Sequence, residues 1–130
     1  GFRVWGVGRL TPRGLGPTTG SLFHIPVIAV GARGVFCWME REGRDVWAAD
    51  VCGTRKRKPE RLPDVLDAMR EEGRRGEGYA VLFGNEARGL NAKTIEQCQR
   101  VVTIPLYGKA ESLNLATSAA VILMSLAFLR

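Results

Sequence analysis

Apolar runs alternate with amphipathic stretches along the chain, and this alternation predicts strands that alternate with helices. Strand-like runs rich in apolar and β-branched residues cover Arg3–Val7, Ile25–Val30, Asp45–Val51, Tyr79–Phe83 and Val101–Ile104. Helical patterns cover Gly34–Glu42, a segment with Asp64 as its expected N-cap, Ala92–Gln99 and a long C-terminal stretch. The order of these elements predicts an α/β fold with a mostly parallel sheet covered by helices on both faces.

Polar and glycine-rich segments separate these elements. Gly14–Gly20 is expected to be a loop because of its Gly, Pro and Thr content, and Cys52–Pro63 is expected to be a polar connection. At 130 residues, with 45% apolar and 25% charged residues, the chain has the size and composition of one folded domain. We find no internal repeat or low-complexity segment that would suggest a second domain.

The charge balance is basic, with a formal net charge of +6, and 15 of the 19 cationic residues are arginine. The planar guanidinium group suits bidentate recognition of phosphate, so a nucleic acid is one candidate partner. The alternative is that the charge only keeps the protein soluble. The run Arg55–Lys58 is a better electrostatic candidate than the single cations Arg88 and Lys109, which could contact nucleic-acid phosphate, but the run and the single cations could all be merely solvated.

The cysteines and the apolar segments indicate the cellular compartment and whether a membrane span is expected. Cys37, Cys52 and Cys98 are widely separated, and His24 is the single histidine, so neither a disulfide framework nor a metal site is expected. Free thiols favour a reducing compartment, which predicts a cytoplasmic location. No secretory signal is expected at the start of the sequence. Leu113–Leu129 is shorter than the roughly 20 apolar residues of a membrane span and contains polar residues, so it predicts a buried helix.

Two segments contain the residues that are candidates for ligand binding or catalysis. In Val81–Leu90 (VLFGNEARGL) an apolar strand ends in a glycine-containing loop. Ligands of open α/β sheets bind beyond the carboxyl ends of strands, so this loop is a candidate ligand site, although an ordinary strand-to-helix turn is the alternative. In the second segment, Val102–Ser125, Ser112 can N-cap the last helix and Asn114 can bond loop backbone. Neither a P-loop nor a dinucleotide-binding fingerprint fits the glycines of the chain.

Taken together, the segments LFGNEARGL and IPLYGKAESLNLATSAAVIL resemble motifs 2 and 3 of the SpoU (TrmH-like) family of RNA ribose methyltransferases, within the SPOUT superfamily. Thr18–Val27 (TTGSLFHIPV) also resembles a segment that precedes the family's central linker. The resemblance covers residues 18–130 and rests on two long motifs in the expected order and spacing.

The resemblance implies a parallel α/β sheet with a C-terminal trefoil knot, which general rules of chain connection would not suggest. It also implies a homodimer, an RNA substrate of ribosomal or transfer type, no membrane association and no metal. The cofactor would be S-adenosylmethionine. By this resemblance the cofactor-binding residues are Phe83, Gly84, Glu86, Gly89, Ile104, Leu106, Gly108, Leu113 and Asn114. The candidate catalytic residues are Glu86, Ser112 and Asn114.

Two departures from the family pattern affect the expected activity. Ala87 stands where motif 2 usually has glycine, which disfavours a positive φ there. The family's motif 1, an Asn-x-Gly segment followed by an arginine that acts on the 2′-hydroxyl, is absent from these residues. We therefore expect residues 1–130 to be a SpoU-type catalytic domain without its motif 1 segment. The alternatives are a non-catalytic, dimeric scaffold that binds S-adenosylmethionine or RNA, and an unrelated α/β nucleotide-binding protein.

Overall fold

The computed structural model describes residues 4–7, 27–30, 32–75, 78–84, 89–109 and 113–129, and these form six strands and four helices. The strands are β1 (Val4–Val7), β2 (Val27–Val30), β3 (Val46–Ala49), β4 (Pro59–Arg61), β5 (Ala80–Phe83) and β6 (Arg100–Thr103). The helices are α1 (Ala32–Arg41), α2 (Leu62–Glu71), α3 (Ala92–Gln97) and α4 (Leu115–Ala127).

The described strands form parallel pairs. β4, β6, β3 and β5 form a four-stranded sheet in that order, and β1 pairs with β2. In the four-stranded sheet Trp47 of β3 lies opposite Val81 on one side and Arg100 on the other. The carboxyl ends of these strands therefore lie at one edge. This confirms the predicted α/β fold with a parallel sheet.

Side chains alternate between the two faces of the sheet, as the two-residue period of a strand requires. Trp47 and Val102 pack with residues of α2 and α4, whereas Val46, Ala48 and Val101 pack with residues of α1 and α3. Helices thus cover both faces of the four-stranded sheet, and consecutive residues of β3 belong to different cores.

Two sequence predictions near α2 are wrong. Cys52–Pro63 was expected to be a connection throughout, but Pro59–Arg61 forms the edge strand β4 and pairs with β6. The helix begins at Leu62 with Arg61 as its N-cap, not at Asp64. Pro63 lies in the first turn, where its missing N–H costs no hydrogen bond, and buried Leu62 anchors that turn. Asp64 also lies in the first turn, where a negative charge is favourable.

The end of α3 also differs from the prediction. The helix ends at Gln97, because Cys98 has extended backbone angles. Gln99 instead joins the sheet: its Oε1 accepts a hydrogen bond from the Val46 N–H at 2.7 Å, and its own N–H donates to the Val46 carbonyl at 2.9 Å. The side chain of Gln99 thereby extends the hydrogen bonding between β3 and the start of β6.

The C-terminal helix is only partly buried, which corrects the prediction of a buried helix. Ile122 and Leu126 lie in the core, whereas Met124 is 54% exposed and Phe128 is 74% exposed. Val121 is exposed on the same face as these two, because the three residues follow helical spacing. Among the helices that the structure describes, none is both long enough and apolar enough to cross a membrane.

The buried thiol of Cys98 is expected to make stability depend on pH. Burial raises its pKa from 9.0 to about 11, and the nearby Arg57 opposes this shift. The unfolded chain therefore loses the proton first, so the free energy of unfolding should fall between pH 9 and about 11 and be unaffected below that window. At pH 10 we expect a loss on the order of 1 kcal/mol. Urea unfolding at pH 8 and pH 10 measures it. A Cys98→Ala variant that loses as much stability as the parent would contradict this assignment.

Candidate functional site

A cavity of about 380 Å³ opens at the carboxyl edge of the four-stranded sheet. Its walls come from the end of β3 and the residues that follow it, the ends of β5 and β6 with the loops after them, and α4 with the residues just before it. The lining residues are Ala49, Asp50, Val51, Phe83, Gly84, Gly89, Val102, Thr103, Ile104, Leu106, Leu113, Asn114, Leu115, Ser118 and Ile122. This volume lies within the roughly 300–1,000 Å³ typical of small-molecule sites.

Most of the candidate residues from the sequence meet in this cavity. Seven of them line it: Phe83, Gly84, Gly89, Ile104, Leu106, Leu113 and Asn114. The described residue Gly108 does not, and its φ of +97° places it in a turn with open space around it. Glu86 and Ser112 lie outside the described residues. The structure thus brings the two motif segments together, and the role of each residue stays a prediction.

Gly84 and Gly89 allow two backbone segments to touch beside the cavity. A Cβ atom at Gly84 would lie 2.2 Å from the Gly89 carbonyl carbon and 2.5 Å from the Leu90 nitrogen. Such distances are far below van der Waals contact, so only glycine fits at position 84. Gly89 has a φ of +63°, a region that favours glycine. The two glycines of motif 2 therefore shape one wall through their backbone.

Asn114 begins α4 and lines the cavity at the same time. Its Oδ1 accepts a hydrogen bond from the Thr117 N–H at 2.8 Å, which makes Asn114 the N-cap of the helix. The expectation that Ser112 caps this helix is therefore wrong. The Oδ1 bond leaves the Nδ2 group of Asn114 as the donor available to a ligand. An amide in this position can orient a ligand but cannot accept a proton as a base.

Asp50 is a polar residue of the cavity that the sequence reasoning missed. Its Oδ2 accepts hydrogen bonds from the N–H groups of Cys52 at 3.2 Å and Gly53 at 2.7 Å. Its own N–H donates to the carbonyl of Val102 at 3.2 Å. Asp50 thus ties the chain after β3 to β6. An aspartate followed by a glycine-containing polar stretch is a turn signal, and this signal could have identified it.

The cavity lining combines apolar and polar groups. Phe83, Ile104, Leu106, Leu113 and Ile122 supply apolar surface, while Asp50, Thr103, Asn114 and Ser118 supply hydrogen-bonding groups. This composition suits an organic ligand that carries a flat or aliphatic part and a few polar atoms. Within the described part of the chain, no three His, Cys, Asp or Glu side chains cluster as a metal site would require.

A parallel sheet between two helical layers, with a cavity at its carboxyl edge, defines an α/β protein of the class that usually binds ligands at the ends of its strands. The family is identified by comparison with known sequences. The chain belongs to the SpoU rRNA Methylase family, whose model matches residues 9–124.

Two of the curated relatives have names that specify 23S ribosomal RNA. The chain is 33% identical over 107 residues to the 23S rRNA (guanosine(2553)-2'-O)-methyltransferase RlmP of Bacillus subtilis, covering 82% of this chain and 38% of that protein. It is 32% identical over 120 residues to the 23S rRNA (uridine(2479)-2'-O)-methyltransferase of Streptomyces viridochromogenes, covering 86% of this chain and 37% of that protein. The chain therefore spans less than half the length of these relatives.

Solved structures show the same fold. An RNA 2'-O ribose methyltransferase matches with a TM-score of 0.71 and 26% identity, covering 98% of this chain and 46% of that one. The SpoU methyltransferase AviRb from Streptomyces viridochromogenes, in complex with the cofactor AdoMet, matches with a TM-score of 0.69 and 27% identity. That match covers 95% of this chain and 48% of the AviRb chain.

Proposed function

We propose that this chain is the cofactor-binding part of an enzyme that transfers a methyl group from S-adenosylmethionine to a ribose 2′-hydroxyl of ribosomal or transfer RNA. The observation that carries the proposal is that both motif segments, represented by Gly84 and Asn114, line one cavity at the carboxyl edge of the sheet. The curated relatives are methyltransferases, which favours catalysis over a non-catalytic scaffold.

The residues of the cavity fit S-adenosylmethionine. Its volume of about 380 Å³ is that of a small-molecule site, and its apolar walls suit an adenine ring and an aliphatic chain. Gly84 and Gly89 line the cavity, and their backbone N–H and C=O groups could bond the polar edge of the base. The N-terminus of α4 opens at Asn114 and favours a negatively charged group such as a carboxylate.

The proposed chemistry assigns a limited role to each of a few residues at the cavity. When bound, the cofactor supplies a methyl group on a sulfonium sulfur. Phe83, Leu106 and Leu113 would exclude water from it, and the Nδ2 group of Asn114 would orient the cofactor or the acceptor ribose by donating a hydrogen bond. Glu86 and Ser112 remain candidates for contact with the acceptor hydroxyl, based on their motif positions.

Direct binding tests the proposal. S-adenosylmethionine or its demethylated product should bind the purified chain in titration calorimetry. Undetectable binding at millimolar ligand, with the fold shown intact by circular dichroism, would remove the main support for this function. Binding of an unrelated nucleotide in its place would favour a different class of α/β protein.

Two asparagine residues that cap helices allow an effect on ligand binding to be distinguished from an effect on stability. Asn91 caps α3 through a 2.8 Å bond from the Thr94 N–H, as Asn114 caps α4, but Asn91 does not line the cavity. Each alanine variant should lose about 1 kcal/mol of stability. Only Asn114→Ala should also weaken cofactor binding, by about tenfold, because it removes a hydrogen-bond donor from the cavity. Calorimetry and thermal unfolding of both variants measure this, and equal cofactor affinity would argue against the role of Asn114.

The proposal includes a homodimer that covers the exposed face of α4. Val121, Met124 and Phe128 form an apolar stripe of the kind that usually marks an interface. We expect a dimer by light scattering at tens of micromolar, roughly the range in which a standard-size interface is saturated. The double variant Met124→Glu, Phe128→Glu should be monomeric, while Cys37→Glu on α1 should remain a dimer. A monomeric parent chain would contradict this part of the proposal.

The C-terminal trefoil knot and a cytoplasmic location complete the proposal. The match of residues 9–124 to the family and the TM-scores of 0.71 and 0.69 to SpoU-type structures support the knot. Cys37, Cys52 and Cys98 are free cysteines, which supports a reducing compartment.

A further inference from the structure

The turn that precedes β4 presents four consecutive cations on a defined backbone. Arg55, Lys56, Arg57 and Lys58 are all exposed, and no acidic residue lies between Val51 and Pro59. The Thr54 N–H donates to the Arg57 carbonyl at 2.8 Å, and the Arg57 N–H donates to Thr54 Oγ1 at 3.1 Å. The four charges therefore follow a closed turn rather than an irregular loop.

Gly53 and Asp50 hold this turn in place. Gly53 has a φ of +62°, and a Cβ atom there would lie 2.3 Å from the Arg57 carbonyl oxygen, so the turn packs tightly against it. The Gly53 N–H in turn donates to the carboxylate of Asp50, which lines the cavity. The basic turn is thus connected to the cavity wall by the close contact at Gly53 and the hydrogen bond from Gly53 to Asp50.

The edge strand β4 leads from the basic turn to the mouth of the cavity. Pro59 lies opposite Val101 and Arg61 lies opposite Thr103, so β4 runs parallel to β6, whose end lines the cavity. Lys58 is three positions before Arg61, about 10 Å along an extended strand. In the described sheet β4 is an edge strand, with β6 as its one neighbour.

An exposed aromatic ring stands at the cavity end of this edge. Tyr107 is 83% exposed and follows Leu106, a cavity residue. The guanidinium Nη2 of Arg61 donates a hydrogen bond to the Tyr107 hydroxyl at 3.3 Å across 46 positions of sequence. Of the nearby acidic groups, Glu60 lies 3.1 Å from Arg100, whereas Asp64 lies 3.9 Å from Arg61 and offsets part of its charge.

We propose that this basic edge, formed by Arg55–Lys58, Arg61 and Tyr107, binds a single-stranded segment of RNA and directs it to the cavity. Cations that follow a backbone, together with an exposed aromatic ring, are the combination that binds single strands through phosphates and base stacking. RNA targets are usually recognised in unpaired regions, where bases are free to stack. The inference rests on the proposed function, because it supplies the acceptor strand for methyl transfer.

The first test removes the charge of the basic turn. The quadruple variant Arg55→Gln, Lys56→Gln, Arg57→Gln, Lys58→Gln is compared with a control, Arg33→Gln, Arg41→Gln, Arg75→Gln, Lys93→Gln, which removes four exposed charges elsewhere. The probe is a fluorescein-labelled 12-nucleotide oligouridine, and anisotropy is measured at several KCl concentrations. If the first variant neutralises about three fewer phosphates, the slope of log affinity against log salt should fall by about 2, since each neutralised phosphate adds roughly 0.7. Affinity at about 0.1 M salt should fall tenfold or more in the first variant and less than about threefold in the control.

Equal losses in the two variants would overturn the inference, because they would indicate only a general effect of net charge. Unchanged RNA affinity together with self-association of the first variant would also overturn it, since the cations would then serve only to protect an edge strand from pairing. Displacement of the RNA by an equally charged polyglutamate peptide would also overturn the inference, because the edge would then recognise only negative charge.

The second test concerns Tyr107. Tyr107→Ala should weaken oligouridine binding by about fivefold or more because the stacking surface is removed, whereas Tyr107→Phe should bind as the parent does because it keeps the ring. A Phe variant as weak as the Ala variant would contradict stacking and point to the hydroxyl bond with Arg61. S-adenosylmethionine calorimetry on the same samples separates the two proposals. Cofactor binding without RNA binding would contradict only this inference, and RNA binding without cofactor binding would contradict only the proposed function.

Discussion

Replacing Gly84 by alanine is expected to abolish measurable binding of S-adenosylmethionine while the chain stays folded. The added Cβ would lie 2.2, 2.5 and 2.6 Å from backbone atoms of Gly89 and Leu90, and backbone cannot rotate away as a side chain can. One of the two segments must therefore move by about 1 Å to restore ordinary contact. Both Gly84 and Gly89 line the cavity, so the movement changes the shape of the site itself. If this displacement removes about 3 kcal/mol of interaction with the cofactor, the affinity for S-adenosylmethionine falls by about a hundredfold or more.

Gly73 supplies the matched control for this prediction. It has a φ of +68°, but a Cβ atom there would meet nothing within 4 Å. Gly73→Ala should therefore cost stability of about 1–2 kcal/mol through backbone strain and leave cofactor affinity unchanged. Calorimetry gives the affinities and circular dichroism shows whether each variant is folded. Parental affinity in a folded Gly84→Ala variant would mean that the cofactor does not depend on this wall.

The second large expected effect rests on the proposed function and concerns the rate of methyl transfer. Transfer of a methyl group to a 2′-hydroxyl depends on alignment and on removal of the hydroxyl proton. The described cavity offers alignment, but Asn114 cannot act as a base, and no Asn-x-Gly segment followed by arginine occurs in the 130 residues. By resemblance, that arginine acts on the hydroxyl. The chain should therefore bind cofactor and transfer methyl about 10²- to 10⁴-fold more slowly than a chain that carries the segment.

The comparison uses a tritiated methyl donor with bulk ribosomal and transfer RNA. One sample is the 130-residue chain, and the other is a longer chain that includes a motif 1 segment ahead of Gly1. Replacing the motif 1 arginine by alanine in the longer chain should lower its transfer to the level of the shorter chain. Equal transfer by both lengths would show that the catalytic group lies within these residues, and Glu86 would then be the first residue to replace.

The sequence predicted the elements that are strongly apolar. β5 and β6 were predicted because they are apolar and bounded by turn residues, and α4 because of its long apolar stretch. β4 was missed because Pro59–Arg61 has three residues and no apolar alternation. It is a strand because β6 supplies its hydrogen-bonding partner. The start of α2 was placed too late because Asp64 is a good cap, whereas the helix follows the buried anchor Leu62.

Resemblance to the two family motifs predicted only those residues of the candidate site that lie within the motifs. Resemblance identified Gly84, Ile104 and Leu113, and the structure places all three in one cavity. Asp50 and Val51 were missed because they belong to neither motif. They reach the cavity through the order of the strands, which places β3 between β5 and β6. Strand order depends on contacts between distant segments, and periodicity within one segment carries no information about it.

The position of β3 in the sheet also has a consequence for protein synthesis. The Val46 N–H and its hydrogen-bond acceptor, the Oε1 of Gln99, are 53 positions apart in the chain. At about 5–20 residues per second, a ribosome adds this partner roughly 3–10 s after β3. During that interval β3 has no β6 beside it, and α3, whose Ile95 shares a core with Ala48, is incomplete. A nascent or prematurely terminated chain that ends before Arg100 should therefore leave one edge of β3 unpaired and be prone to aggregate.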